Sequence, residues 1–369
     1  MSRHLCRACG SASGAVVLDL GEQPASDYFP PRDDPGPDPV YPLQMWLCAS
    51  CGLAQLVSDP TVPEEPRAQE PAALVAQAAD AVHRVAAAGF LQPGGTVAEY
   101  GSPHGGSWLD LLAERGLTPM HTNDSVDAVV DCFGMMHAAD QAAALAERAN
   151  RVAPGGVLLL QYHSLDTIVR RGQWNALRHG HYAYYSTTAL TAMLGVEGFR
   201  PCTAWSFDLY GGTVLLAARR NGDGTDSPDE SVRALLAEEV EAGVADPVAV
   251  GTLQHDMQSR AGQLRDWLVT ARDAGDAVIG YGAASRAVAL LVRADVDRTL
   301  LPAVVDASPA KQGLRMPGTD IPIVEPSELA VGRPNVLVFV PDLMGEVQAA
   351  FPQVEAVGGR WVDAEALGA

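Results

Sequence analysis

Of the six cysteines in the 369 residues, four fall in two C-x-x-C pairs, Cys6-Arg-Ala-Cys9 and Cys48-Ala-Ser-Cys51. Each pair can present two thiolates from one turn, and together they make a tetrahedral zinc site. Four protein ligands leave no open position for water, so the expected metal is structural. A redox C-x-x-C or four unrelated thiols are the alternatives, but a redox motif needs a single pair in a thioredoxin-like setting. The N-terminus, MSRHLCRACG, lacks the basic-then-apolar layout of a signal peptide, which favours zinc over disulfides and a cytoplasmic location. Cys132 and Cys202 lie in apolar runs and read as core residues.

The second concentration of chemistry is Arg178-His179-Gly180-His181-Tyr182-Ala183-Tyr184-Tyr185-Ser186. Two imidazoles, a guanidinium and three phenols in one loop offer a base and hydrogen-bond donors for a developing oxyanion. The blander reading is aromatic packing at a domain interface, with the histidines solvated at its edge. His137 follows an apolar strand and is either a pocket wall or a helix-start residue.

Two glycine-rich loops complete the set. Val97-Ala-Glu99-Tyr-Gly101-Ser102-Pro-His-Gly105-Gly106 is a strand ending in an acid and a loop that opens a helix. Small residues there let a ligand approach the backbone closely. Gly280-Tyr-Gly282-Ala283-Ala-Ser285-Arg286 repeats the device, and its free amides at a helix start suit a diphosphate. Asp306 ends the next strand at about the spacing that binds a ribose in dinucleotide folds. Lys311, just beyond, is the only lysine in the chain. In so arginine-biased a sequence it has either a specific job or none.

These loops need sheets to hold them. Short apolar runs alternate with helical stretches: strand Thr96 to Tyr100, helix Ser107 to Arg115, strand Asp127 to Cys132, helix Asp140 to Arg151, the turn Pro154-Gly155-Gly156, and strand Val157 to Gln161. That order is βαβ and implies ligands at the carboxyl ends of parallel strands. A Pro- and Glu-rich stretch, Pro60 to Pro71, reads as a linker before a helix from Ala72 to Gly89. Asn221 to Asp229 marks a second boundary. An acidic, Ala-rich stretch from Glu230 to Arg272 reads as one or two helices, and a second α/β unit begins at Ala277. The zinc segment contributes short strands, Val16 to Leu20 and Pro42 to Trp46, with too few apolar residues to fold without metal. The expected architecture is α/β, with a small N-terminal zinc-binding module (1–60), a truncated Rossmann-like core (61–222) and a second, C-terminal Rossmann-like domain (223–369).

The net charge of −20 excludes a protein built to hold phosphate backbones, because its long-range field repels nucleic acid. No run approaches the ~20 apolar residues of a membrane span. Composition leaves the oligomeric state open.

Taken together, the two C-x-x-C knuckles, Leu18-Asp-Leu-Gly-Glu-Gln-Pro24, the Glu99 loop, Asp127-Ala-Val-Val with His137, Gly280-Tyr-Gly-Ala and Asp306-Ala-Ser308-Pro-Ala-Lys311-Gln-Gly resemble the zinc-containing sugar C-methyltransferases of deoxysugar biosynthesis. The resemblance covers nearly the whole chain and is most specific at 308–313. It implies S-adenosylmethionine held by Glu99, Gly101, Ser102, Gly105 and His137, and a TDP-linked keto-deoxysugar held by Tyr210, Gly282, Ala283, Ser285, Arg286, Asp306, Ser308 and Lys311. His181 falls where the family has its general base, with His179, Arg178 and Tyr184 beside it. Arg178 stands in place of a tyrosine and Gly180 in place of a glutamate.

Between Leu117 and Asp127 the family spends a strand with a ribose-binding acid, a helix and a further strand; here only a few residues remain, and Asp124 is the candidate substitute. The tyrosine- and serine-rich segment before the first core helix is also missing from Pro63 to Ala72. This shortened pattern is similar to the mithramycin-type bifunctional C-methyltransferase/ketoreductases, which implies NADPH-dependent 4-ketoreduction as an alternative or additional activity. A non-catalytic sugar-nucleotide-binding partner is the third reading.

Overall fold

The computed structural model describes residues 4–34, 36–61, 70–103, 105–222 and 227–367. Most of the linker expected between Pro60 and Pro71, His104 and part of the 221–229 boundary lie outside the described residues.

Three sheets are present. In the first, Gly14–Pro24, Val40–Cys48 and Ala54–Leu56 run antiparallel in that order, and the fourth strand is Ala183–Tyr184, from the histidine- and tyrosine-rich loop. The zinc segment thus takes that loop into its own sheet.

The second sheet has six strands in the order Thr118–Pro119, Thr96–Gly101, Val126–Cys132, Val152–His163, Thr213–Arg220, Phe199–Phe207. The first four are parallel, and Thr213–Arg220 runs antiparallel to both of its neighbours. The sequence reading ends its strands at Gln161. The structure adds the 199–207/213–220 pair, whose Val214–Ala218 run is buried at every position. The expected shortening has a definite form. A two-residue strand, Thr118–Pro119, is followed by the six-residue segment 120–125, and no helix or further strand lies outside it among the described residues.

Helix Ala72–Ala87 lays Ala78, Ala81, Val82 and Val85 on one face of this sheet against Val97, Val130 and Leu159. On the other face, Gln141–Arg151 starts where the Asp140 side chain accepts from the Ala143 amide at 3.0 Å, a conventional N-cap. It buries Ala144, Leu145 and Ala149.

The third sheet is wholly parallel, in the order Ile323–Val324, Val304–Val305, Val278–Tyr281, Asn335–Val338, Arg360–Asp363. Numbered along the chain that is 3-2-1-4-5, which places the start of helix Ser285–Arg293 beside the crevice where the strand order reverses. The 23-residue helix Thr252–Ala274 joins this sheet to the zinc module. Its Leu253, Met257, Leu264 and Leu268 share one core with Leu18, Leu20 and Met45 on one side and Leu301 and Leu337 on the other. Arg315 adds a polar tie, donating to both carboxylate oxygens of Asp38 at 2.6 and 2.7 Å, with both side chains about 5% exposed. No helix among the described residues is long and apolar enough to cross a membrane.

Candidate functional site

The four cysteines converge. Their sulfurs all lie within 4.8 Å of one another, with Cys6 Sγ 3.5 Å from Cys51 Sγ and Cys9 Sγ 3.6 Å from Cys48 Sγ. A tetrahedron with Zn–S bonds of ~2.3 Å has edges of about 3.8 Å, so the donor set fits zinc in size as well as in softness. The hydrogen bond from Cys51 pulls the Cys6 thiol down to about 5, against burial. Loop 178–185 is fastened to this module at several points. Tyr184 and Ala183 pair with Ala54 and Gln55. The Leu56 amide donates to the Tyr182 carbonyl at 3.2 Å. Asp59 accepts from the Gly180 amide at 2.5 Å. His179 lies edge-on to Tyr41 with Nε2 3.3 Å from the Pro42 carbonyl.

A cleft of about 360 Å³ lies where the three sheets meet. Ser102, Gly105 and His137 line it from the central sheet, Arg178, His181 and Tyr184 from the histidine loop, and Tyr210 from the turn before Thr213. Gly282, Ser285, Arg286, Asp306, Ser308 and Lys311 line it from the C-terminal sheet. The residues expected to hold two ligands therefore face a single space.

Five others stand back from the lining. Glu99 accepts from Ser107 Oγ at 2.6 Å and the Trp108 amide at 2.5 Å, which fixes the loop above it. Gly101 bridges Phe133. Ala283 is a backbone relay, its amide donating to Asp306 and its carbonyl accepting from Lys311 Nζ at 2.7 Å. His179 faces the zinc module, as described. Asp124 sits in the exposed segment 120–125, where its carboxylate accepts from Thr122 Oγ1.

The charges are paired loosely. Arg178 Nη1 is 4.0 Å from Asp27, Arg286 Nη1 3.8 Å from Asp342, and Lys311 Nζ 3.8 Å from Asp306. Arg286 and Lys311, held at this distance by their carboxylates, remain able to take an anion. Burial lowers the Lys311 ammonium, with Asp306 opposing, and raises the Asp342 carboxyl, with Arg286 opposing. Arg178 is the most connected of the three. Its Nε donates to His181 Nε2 at 2.8 Å and its Nη1 to Ser285 Oγ at 2.6 Å, and Ser285 in turn donates to Asp27 at 2.8 Å.

Sequence reasoning missed Asp27, Phe133 and His163, all in the lining. His163 ends the strand Val152–His163, and position at a carboxyl strand end is the signal that could have found it. Burial, then the charges of Arg286 and Arg178, lower its imidazole to about 3, so it is neutral at physiological pH. Its ring lies 5.1 Å from that of Phe133 and 5.6 Å from that of Tyr210. Both neighbours have left-handed backbones, φ 60° and 52°, a cost retained at ligand sites. Burial pushes the Tyr210 phenol up to about 12, which keeps it a donor.

Gly105, in the lining of the cleft, bears on the fit of a methyl donor. Gly105 has φ +93°, and a Cβ added there would meet nothing within 4 Å. The backbone is thus bare toward the cleft, as close approach of a ligand requires.

Residues 208–364 match the family described as "C-methyltransferase C-terminal domain", and residues 6–65 the one described as "Putative zinc binding domain". The C-methyltransferase NovU of Streptomyces niveus is 24% identical over 377 residues, covering 91% of this chain and 89% of that protein. Among solved structures, magnesium protoporphyrin IX methyltransferase from Synechocystis PCC 6803 with bound SAH aligns with a TM-score of 0.32 and 14% identity, over 42% of this chain and 90% of that one. N-methyltransferase NodS from Bradyrhizobium japonicum aligns with a TM-score of 0.31 and 12% identity, over 43% and 94%. With the cysteine cluster at one end and the matched domain at the other, the chain carries a C-methyltransferase C-terminal domain match over residues 208–364 and a zinc-binding domain match over residues 6–65, and is similar to a C-methyltransferase over 91% of its length.

Proposed function

We propose that the protein methylates carbon 3 of a TDP-linked 4-keto-2,6-dideoxy sugar, with S-adenosylmethionine as donor. The observation that carries this reading is the single cleft lined both by the imidazoles of 137 and 181 and by the helix start at Ser285 with the cations Arg286 and Lys311; the amides of 282, 283 and 284, expected to be free, are instead bonded to Val305, Asp306 and Gly282. A nucleotide diphosphate at Ser285, Arg286 and Lys311 puts its sugar toward the histidines. The strand order 3-2-1-4-5 of the C-terminal sheet, with a helix start at the reversal point, is that of Rossmann-like nucleotide-binding units and supports the same placement.

Hydrogen on the carbon next to a ketone is acidic enough for an imidazole to remove, provided the oxyanion that forms is met by donors. The Tyr210 phenol and the Arg178 guanidinium are the donors at hand. Ser102, Gly105 and Met136 would hold the methionine end of S-adenosylmethionine, which supplies an electrophilic methyl group when bound. The shell of Phe133, Met136 and Phe339 limits water around the carbanion.

Incubation with the TDP-4-keto sugar and each cofactor, read by mass, tests the reading. A gain of one methyl group with S-adenosylmethionine is expected. A gain of two hydrogens with NADPH instead would make the enzyme a ketoreductase, and no change with either would make it a binding partner.

Lys311→Met carries its own expectation. It removes the buried ammonium, which leaves the Ala283 carbonyl without that donor and Asp306 without the cation 3.8 Å away. A charged hydrogen bond contributes about 1.5–3 kcal/mol, so the Kd for TDP should rise roughly 10- to 100-fold by calorimetry. An unchanged Kd would place the diphosphate elsewhere.

A further inference from the structure

We propose that Asp342 is a positioning residue for the Tyr210 phenol, holding the peptide group from which that side chain is projected into the cleft. The assignment rests on the reading of Tyr210 as a donor to the oxyanion and adds to it the residue that keeps the donor in place.

Tyr210 stands in the turn between strands Phe199–Phe207 and Thr213–Arg220. The Gly212 amide closes this turn by donating to the Leu209 carbonyl at 3.0 Å, and the two central residues both have left-handed backbones, φ 52° at Tyr210 and 79° at Gly211. Glycine adopts that conformation freely, whereas a tyrosine keeps it only where its surroundings over-determine it.

The restraint comes from the C-terminal unit. Arg286 Nη2 donates to the Tyr210 carbonyl at 3.0 Å, and the Gly211 amide donates to Asp342 Oδ1 at 3.0 Å. That carbonyl and that amide belong to one planar peptide group, so rotating the plane would change ψ of Tyr210 and break both contacts. The two side chains that grip it are largely buried and lie 3.8 Å from each other.

The stretch that carries Asp342 is docked on the core a second time. Helix Ala72–Ala87 has Pro71 at its N-cap and no capping side chain of its own. Glu346 supplies the cap, its carboxylate accepting from the Ala72 and Ala73 amides at 3.3 and 3.1 Å. With both ends fixed, the Tyr210 ring lies in the cleft lining, 5.6 Å from the ring of His163 and 6.4 Å from that of Phe133.

Asp342 therefore has two effects of opposite sign. As an acceptor it orders the turn that presents the phenol. As an anion 3.8 Å from Arg286 it works against a diphosphate placed on that cation. Asparagine separates the two, because it keeps an acceptor oxygen and drops the charge.

The test is methyl transfer from S-adenosylmethionine to TDP-4-keto-2,6-dideoxyglucose by the full-length, zinc-loaded protein, with TDP affinity by calorimetry and amide exchange at Gly211 measured beside it. Asp342→Ala should lower kcat roughly 10- to 100-fold, speed exchange at Gly211 and tighten TDP binding about 2- to 5-fold. Asp342→Asn should recover most of the lost kcat and of the protection while keeping the tighter TDP. Zinc content and melting temperature establish that both variants are folded. A kcat or a Gly211 protection unchanged in Asp342→Ala, or losses as large in Asp342→Asn, overturns the assignment, as does weaker TDP binding together with slower turnover in both variants. Absence of methyl transfer in the wild type overturns the reading on which the assignment rests, and exchange at Gly211 then still decides whether Asp342 holds the turn.

Discussion

Chelating the zinc should abolish turnover and melt the N-terminal sheet, although the metal touches no part of the cleft. The zinc segment buries Cys48, Leu53, Ala54 and Leu56 completely, and the second C-x-x-C pair lies at the turn that joins strand Val40–Cys48 to strand Ala54–Leu56. Metal binding in such segments contributes about 10–16 kcal/mol of apparent folding free energy in zinc-finger peptides. Loss on that scale would free Ala54 and Gln55 from Tyr184 and Ala183, Asp59 from Gly180, and Pro42 from His179. The histidine loop would lose its template, and Gly180 would no longer hold His137. Chelation should therefore lower the melting temperature sharply and speed amide exchange at 178–185 together with 40–56. Unchanged protection at 178–185 in metal-free protein would separate the module from the site.

Asp38→Ala should cost about 3–5 kcal/mol, the usual penalty for leaving one partner of a buried ion pair uncompensated. The Arg315 side chain it abandons is about 5% exposed, and Gly318 loses an acceptor at 2.7 Å. Because the pair joins residues 34–38 to the C-terminal sheet, the denaturation midpoint should fall and the Kd for TDP should rise in the same variant. A pH dependence follows. Burial acts to raise the Asp38 carboxyl, but the hydrogen bonds from Arg315 and the Gly318 amide outweigh it and the net shift is downward. A carboxylate lowered in the folded state stabilises fully above its unfolded value, near 4, and that contribution is lost as the pH falls through the folded value. Wild-type stability should therefore drop below about pH 4 more steeply than that of Asp38→Asn. Parallel curves would show that the pair contributes nothing.

Much of the architecture was legible in the sequence because its signals are local. The C-x-x-C pairs name their own partners, and the Glu99 and Gly282 loops each join a strand to a helix within a few residues. The shortened edge was visible as missing length, although the two-residue strand Thr118–Pro119 that remains there was not read from the sequence. What stayed hidden depends on distance along the chain. Ala183–Tyr184 is too short to read as a strand, and it becomes one only because Ala54–Leu56 offers it a free edge. Asp27 carries no motif and reaches the cleft through the packing of the zinc module on the helix at 252–274. The contacts of His137 with Gly180 and of His181 with Arg178 are ones that residue types alone do not specify.

A crystal structure with a TDP-4-keto sugar would test the central claim most directly. The account predicts the diphosphate on Ser285 and Arg286, with the carbon beside the ketone facing the wall that carries His137 and His181. A nucleotide bound outside the 282–286 loop, or a sugar turned away from the wall formed by 137 and 181, would contradict it.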